Sequence, residues 1–213
     1  MADDLNYGYK GADVPQSFGN NKGVFDPADI NNLVKDDKWT QYGQLELIET
    51  QTASSGSADI YTVNFESIQE SQYNVHFLTF SEGQSNGYQY LSLRFGNNGS
   101  YTTSGYQYAR QSMLNATFAE DRSTSENTIR IGSYVYRGEN AYAYIYNIGD
   151  SSKYTFVTSQ MVGNAANYVG CASSFGSGVL PTASSFNNIQ ILRTNSVGWY
   201  GFKASLYGIK EYS

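Results

Sequence analysis

The sequence predicts an all-β protein, a jelly-roll-like antiparallel β-sandwich preceded by an extended N-terminal arm and one short helix. Three observations carry that expectation. From Trp39 onward the apolar residues recur with a period of 2, the pattern of strands that bury one face. Short runs of this kind are punctuated by Gly/Asn/Ser turn text with no helical segment between them, which favours a two-sheet jelly roll, with an up-and-down barrel as the alternative. The composition agrees. Only 15% of the 213 residues are charged, against about a quarter in an average protein, while Tyr (20) and Gly (21) are abundant. An aromatic content of 15% is too high for a disordered chain.

Residues 1–40 form a distinct N-terminal region, and 41–213 the sandwich domain. Up to Val24 the text is polar, rich in Gly and Asn and without period, so it reads as an extended arm. A helix is expected from Asp26 to about Lys38. Asp26 can cap it, Pro27 suits the first helical position, and Asp29 falls in the first turn, where the dipole favours an anion. Ile30, Leu33 and Val34 then make an apolar stripe that could anchor the chain on another surface.

The expected strands are Gly43–Thr52, Ile60–Glu66, Tyr73–Ser81, Tyr88–Phe95, Tyr106–Ser112, Ile129–Tyr136, Ala141–Asn147, Tyr154–Met161, Tyr168–Ser173, Asn188–Arg193 and Trp199–Lys210. Turns are expected at Ser54–Ser57, Ser85–Gly87, Asn97–Gly99, Gly149–Ser151 and Gly176–Gly178. Leu45, Leu47, Phe77, Tyr200, Phe202 and Leu206 are expected in the core. Tyrosine recurs at i, i+2, most clearly as Tyr142, Tyr144 and Tyr146, and a ring with a wet hydroxyl tip suits an interface. Sheet edges must be paired, covered or charged, and charge is scarce, so pairing or covering in a homo-oligomer is the expected solution.

Much chemistry is excluded. One cysteine, Cys171, rules out an internal disulfide framework, and one histidine, His76, rules out multi-histidine metal sites. A net charge of −6 and a pI near 4.7 argue against nucleic-acid binding. No apolar run is long enough for a membrane span, and Met-Ala-Asp-Asp does not read as a secretory leader. His76 sits mid-strand without a nucleophile elbow and reads as a packing or hydrogen-bonding residue; Cys171 reads as a small buried hydrophobe. Glu46 and Glu49 share a strand at an odd offset and should face opposite ways. Glu120, Asp121 and Glu126 read as an exposed loop tip. No catalytic residue, cofactor site or metal site is expected.

Gln44–Ser54 (QLELIETQTAS), followed by Phe65–Ile68 and Tyr73–Leu78, resembles structural proteins of marine tailed bacteriophages. So do the closing strand Ser205–Lys210 and the arm segments Val14–Gly19 and Gly23–Phe25. The likeness covers both ends and the first third of the chain; residues 96–186 carry no such motif. It implies a non-enzymatic virion component, a head decoration or fibre subunit or a tail appendage, made in the host cytoplasm and assembled with other virion proteins. Analogy with phage appendages suggests a homotrimer. It brings no catalytic residues. A carbohydrate- or receptor-binding module, with a host surface glycan as partner, and a glycan-cleaving hydrolase stay open as alternatives.

Overall fold

The computed structural model describes residues 27–36, 45–54, 59–114, 117–164, 170–193 and 197–210. The expected arm over 1–25 lies outside the described residues, as does Asp26. Helix α1 runs from Pro27 to Lys35, with proline at its first position and lysine in its last turn. Ile30 and Leu33 are half-buried along it, and the side chain of Val34 lies outside the described residues.

The second unit, Leu45–Lys210, is an all-β antiparallel sandwich. In chain order its strands are β1 (Leu45–Ala53), β2 (Thr62–Phe65), β3 (Val75–Gln89), β4 (Leu91–Asn97), β5 (Ser100–Tyr101), β6 (Tyr106–Leu114), β7 (Thr117–Glu126), β8 (Ile129–Arg130), β9 (Val135–Tyr146), β10 (Thr155–Asn164), β11 (Cys171–Leu180), β12 (Asn188–Arg193) and β13 (Trp199–Ile209). Eight of them form a wide sheet in the order β1-β13-β3-β9-β10-β11-β6-β7. The narrow sheet runs β2-β12-β4-β5, with β8 also paired to β4. Side chains from the two facing surfaces make the core: Leu78, Phe80, Ala143, Ile145 and Leu206 from the wide sheet, Val63, Phe65, Leu93, Phe95 and Ile191 from the narrow one.

Several expectations need correction. Leu45 and Leu47 are 48% and 60% exposed, not buried. A bulge between Leu47 and Glu49 resets the phase of β1, so Glu46, Ile48, Glu49, Gln51 and Ala53 turn inward. The same bulge puts Glu46 and Glu49 on one face despite their odd spacing. Phe77 and Tyr200 are only half-buried, whereas Phe202 and Leu206 are in the core. Strand β3 runs straight through Ser85–Gly87, absorbing the expected turn in register shifts against β9. Strand β11 likewise runs through Gly176–Gly178. Its glycines are there for close approach: a Cβ at Gly176 would lie 2.5 Å from Arg110 Cβ, and one at Gly178 2.4 Å from Ile129 Cγ2.

The segment expected as a loop tip around Glu120, Asp121 and Glu126 is strand β7, the edge of the wide sheet. Its charges are what an edge needs to resist pairing. The other edge, β1, carries Glu46, Glu49 and the bulge. Both edges of the wide sheet therefore carry charge, which disfavours strand addition there.

A fully buried ion pair crosses between the sheets. Glu139 on β9 has no solvent exposure. Its Oε2 accepts from Arg193 Nη2 of β12 at 3.0 Å and from Trp199 Nε1 of β13 at 2.8 Å. Arg193 also donates through Nη1 to the Gly87 carbonyl at 3.1 Å and lies over the Trp199 ring. Removing the carboxylate leaves a guanidinium buried without its counter-charge. Glu139→Ala should therefore lower the unfolding free energy by about 3–5 kcal/mol, measured by denaturant titration. A loss below about 1 kcal/mol would mean that the pair does not hold the sheets.

Candidate functional site

With its inner face in the core, the wide sheet turns its other face outward, and strand register decides what stands there. One row of cross-strand neighbours reads Leu45, Ile209, Val75, Tyr146, Phe156, Val179, Gln107. The next reads Leu47, Tyr207, Phe77, Tyr144, Thr158, Ser177, Ala109, Arg122. A third reads Thr50, Ser205, Thr79, Tyr142, Gln160, Phe175, Gln111, Glu120.

The face has two halves. Over β1, β13, β3 and β9 it is an aromatic and aliphatic surface. Phe77 sits at its centre, with ring centroids 4.8 Å from Tyr144, 6.0 Å from Tyr142 and 6.1 Å from Tyr207. Tyr144 stacks on Tyr146 at 6.4 Å. The sequence-expected interface residues Tyr142, Tyr144 and Tyr146 thus lie together on the outer face, while the intervening Ala141, Ala143 and Ile145 are buried. Tyr142, 40% exposed, donates to Gln160 Oε1 at 2.6 Å. Sequence reasoning missed Leu45, Leu47, Phe77 and Tyr207 as members of this surface. The first two rows across four strands, at ~6.7 Å between rows and ~4.8 Å between strands, span roughly 260 Å², and Tyr142 extends the patch into a third row whose other members, Thr50, Ser205 and Thr79, are polar.

Over β10, β11, β6 and β7 the middle row falls to small side chains, Thr158, Ser177 and Ala109, and the face sinks into a trough. Phe156 (46% exposed) stands on one side and Phe175 (61%) on the other. Two adjoining cavities fill the trough, about 540 Å³ beside Phe175 and about 700 Å³ beside Phe156. Arg122 lines both. The signal for these residues was present in β10, whose exposed phase (Phe156, Val162) is as apolar as its buried one (Val157, Met161).

Beneath the trough, on the inner side of the same strands, Asp121 is clamped. It accepts from Arg110 Nη2 at 2.8 Å and Arg130 Nη1 at 3.0 Å, and Tyr108 donates its hydroxyl at 3.3 Å. Burial alone would raise the Asp121 pKa, but the two guanidinium groups outweigh it and hold the carboxyl below its ordinary value. Burial pushes the Tyr108 hydroxyl up to about 12. Both arginines lie over the Tyr90 ring, at 4.7 and 4.3 Å. This cluster pins the edge strand β7 to β6 and β8, and so fixes the Arg122 side of the trough.

Other residues weighed from the sequence stand apart. Cys171 is exposed at the start of β11, contrary to the expectation of burial. Tyr73 donates its hydroxyl to Glu46 Oε2, which ties the edge strand to the segment before β3, whereas Gln51 Nε2 donates to Glu49 Oε1 at 2.9 Å within β1 itself. Among the described residues no group of three or more His, Cys, Asp or Glu side chains could hold a metal ion, and no helix is long and apolar enough to cross a membrane. Neither a protein-family model nor a curated protein matches this chain.

His76 is buried rather than on the surface. Its Nε2 lies 2.7 Å from the Ile68 carbonyl, which can only accept, so Nε2 carries the proton. Burial lowers its pKa below 6.5, although the Ile68 bond and the Glu70 charge pull the other way. The unfolded chain therefore binds a proton near pH 6.5 that the native state refuses. Its contribution to stability is complete above that pH and is lost on acidification below it, with a slope of at most about 1.4 kcal/mol per pH unit. Denaturant midpoints between pH 7 and 5 should fall in the wild type and stay flatter in His76→Gln. Parallel curves would contradict this role.

Proposed function

We propose that this protein is a non-enzymatic structural subunit of a bacteriophage virion, a head decoration or fibre subunit or a tail appendage, that assembles with copies of itself and with other virion proteins. The observation that carries the reading is the aromatic half of the outer face. A sheet that closes its own core has no internal use for a second apolar surface, and a patch of Phe77, Tyr142, Tyr144, Tyr207, Leu45 and Leu47 has the composition of an interface core. The protected edges favour assembly face to face over strand addition. The likeness of Gln44–Ser54 and the closing strand to phage structural proteins supplies the setting, and analogy with phage appendages the trimeric state.

Sedimentation velocity at micromolar concentration tests the reading. The wild type should sediment as an oligomer. The double variant Leu47→Glu, Tyr142→Glu should sediment as a monomer, with an unfolding free energy within about 1 kcal/mol of wild type because both sites are exposed. A wild type that is monomeric both free and in the particle would overturn it.

A further inference from the structure

We infer that the trough over β10, β11, β6 and β7 is a binding site for an acidic oligosaccharide bearing carboxylates. Its walls and floor divide the work such a ligand requires. The C–H faces of a pyranose are apolar and pack flat on an aromatic ring, and Phe156 and Phe175 offer two exposed rings. By register Phe175 sits opposite Gln160, four residues along β10 from Phe156, which places the two positions about 13 Å apart along the strand direction. That is the reach of a short oligosaccharide rather than of one sugar. Between them Thr158 and Ser177 supply hydroxyls and Gln107 and Gln111 stand as amides, partners for a sugar's hydroxyl edges. A volume of about 700 Å³ beside Phe156 is within the usual range of small-molecule sites, roughly 300–1,000 Å³.

Charge selects the acid. Among the described residues Arg122 is the one charged side chain lining that larger cavity. It is exposed and makes no hydrogen bond or ion pair with another described residue. Every other arginine near the trough is engaged: Arg110 and Arg130 are spent on Asp121. The nearest outward carboxylate, Glu120 two residues along β7, takes a hydrogen bond from Gln111 and does not pair with Arg122, so the guanidinium at the end of the apolar trough is complementary to a ligand's planar carboxylate, which its two N–H groups can meet in parallel. Glu120 stands on the adjoining smaller cavity, where it accepts from Gln111 Nε2 at 3.3 Å, so the acid is placed in the larger one.

This site lies on the opposite half of the sheet from the assembly surface, so each proposal can fail alone. The test is titration of the full chain with trigalacturonic acid, followed by calorimetry and saturation-transfer NMR, with galactotriose as the neutral probe and a sulfated galactan trisaccharide as the second anion. The wild type should bind trigalacturonate and favour it at least tenfold over both other probes. Arg122→Gln and Phe156→Ala should each weaken it at least tenfold, whereas Lys203→Gln, which removes an equal charge elsewhere, should not. The same affinity in Leu47→Glu, Tyr142→Glu would support the separation of the site from the assembly surface. No binding by the wild type at millimolar ligand, preference for the neutral or sulfated probe, or undiminished binding by Arg122→Gln would overturn the inference.

Discussion

A carboxylate cut off from water fixes the phase of the strands around it. Buried polar groups need partners, and those of Glu139 are Arg193 of the narrow sheet and the Trp199 indole at the start of β13. Holding Trp199 inward while Phe202, Ala204 and Leu206 also face the core requires an odd step between residues 199 and 202. The strand takes that step in two register irregularities against β3. Without them the inward phase set by Trp199 would continue through Lys203, Ser205 and Tyr207, burying a lysine and two polar tips. With them Tyr207 turns outward beside Phe77, and the aromatic outer surface becomes continuous across β13, β3 and β9. The buried ion pair and the exposed patch are thus linked through the path of one strand.

Sandwich class, the short helix and most of the strands were legible because period 2 is a local signal that survives without knowledge of partners. Bulges are not. Leu45 and Leu47 read as core because an alternating pattern names two faces and says nothing about which one is buried. The choice was made by a bulge at Ile48 that only pairing with β13 reveals. Strand β7 was illegible for a different reason: an edge strand gains from charge, and charge is what marks a loop in sequence. The glycines of β11 misled in the same way, since residues needed for close approach to Arg110 and Ile129 look like turn residues. Of the outer face, the tyrosines of β9 could be read directly, because they alternate with Ala and Ile. The trough could not, because it is assembled from four strands whose order is not that of the chain.

The outer face divides its labour by side-chain size. Where neighbouring strands all present large rings, as Tyr207, Phe77 and Tyr144 do, the surface is level and suited to another protein surface. Where the middle row shrinks to Thr158, Ser177 and Ala109, the flanking phenylalanines become walls, and a chain-like ligand can lie between them. The clamp of Asp121 by Arg110 and Arg130 belongs to the second half, since it keeps β7 in register at the sheet margin. An edge strand held by charge on its inner side is free to carry an unpaired arginine on its outer side. One sheet can then serve attachment and recognition without either competing for the same residues.

On this reading the outer face of the wide sheet is where the protein meets others. An electron cryo-microscopy map of the purified assembly decides it. Density from a neighbouring subunit should cover Phe77, Tyr142, Tyr144 and Leu47 while the trough between Phe156 and Phe175 stays open. An assembly in which that aromatic surface faces solvent, with contacts made through the narrow sheet or through strands added at β1 or β7, would contradict it.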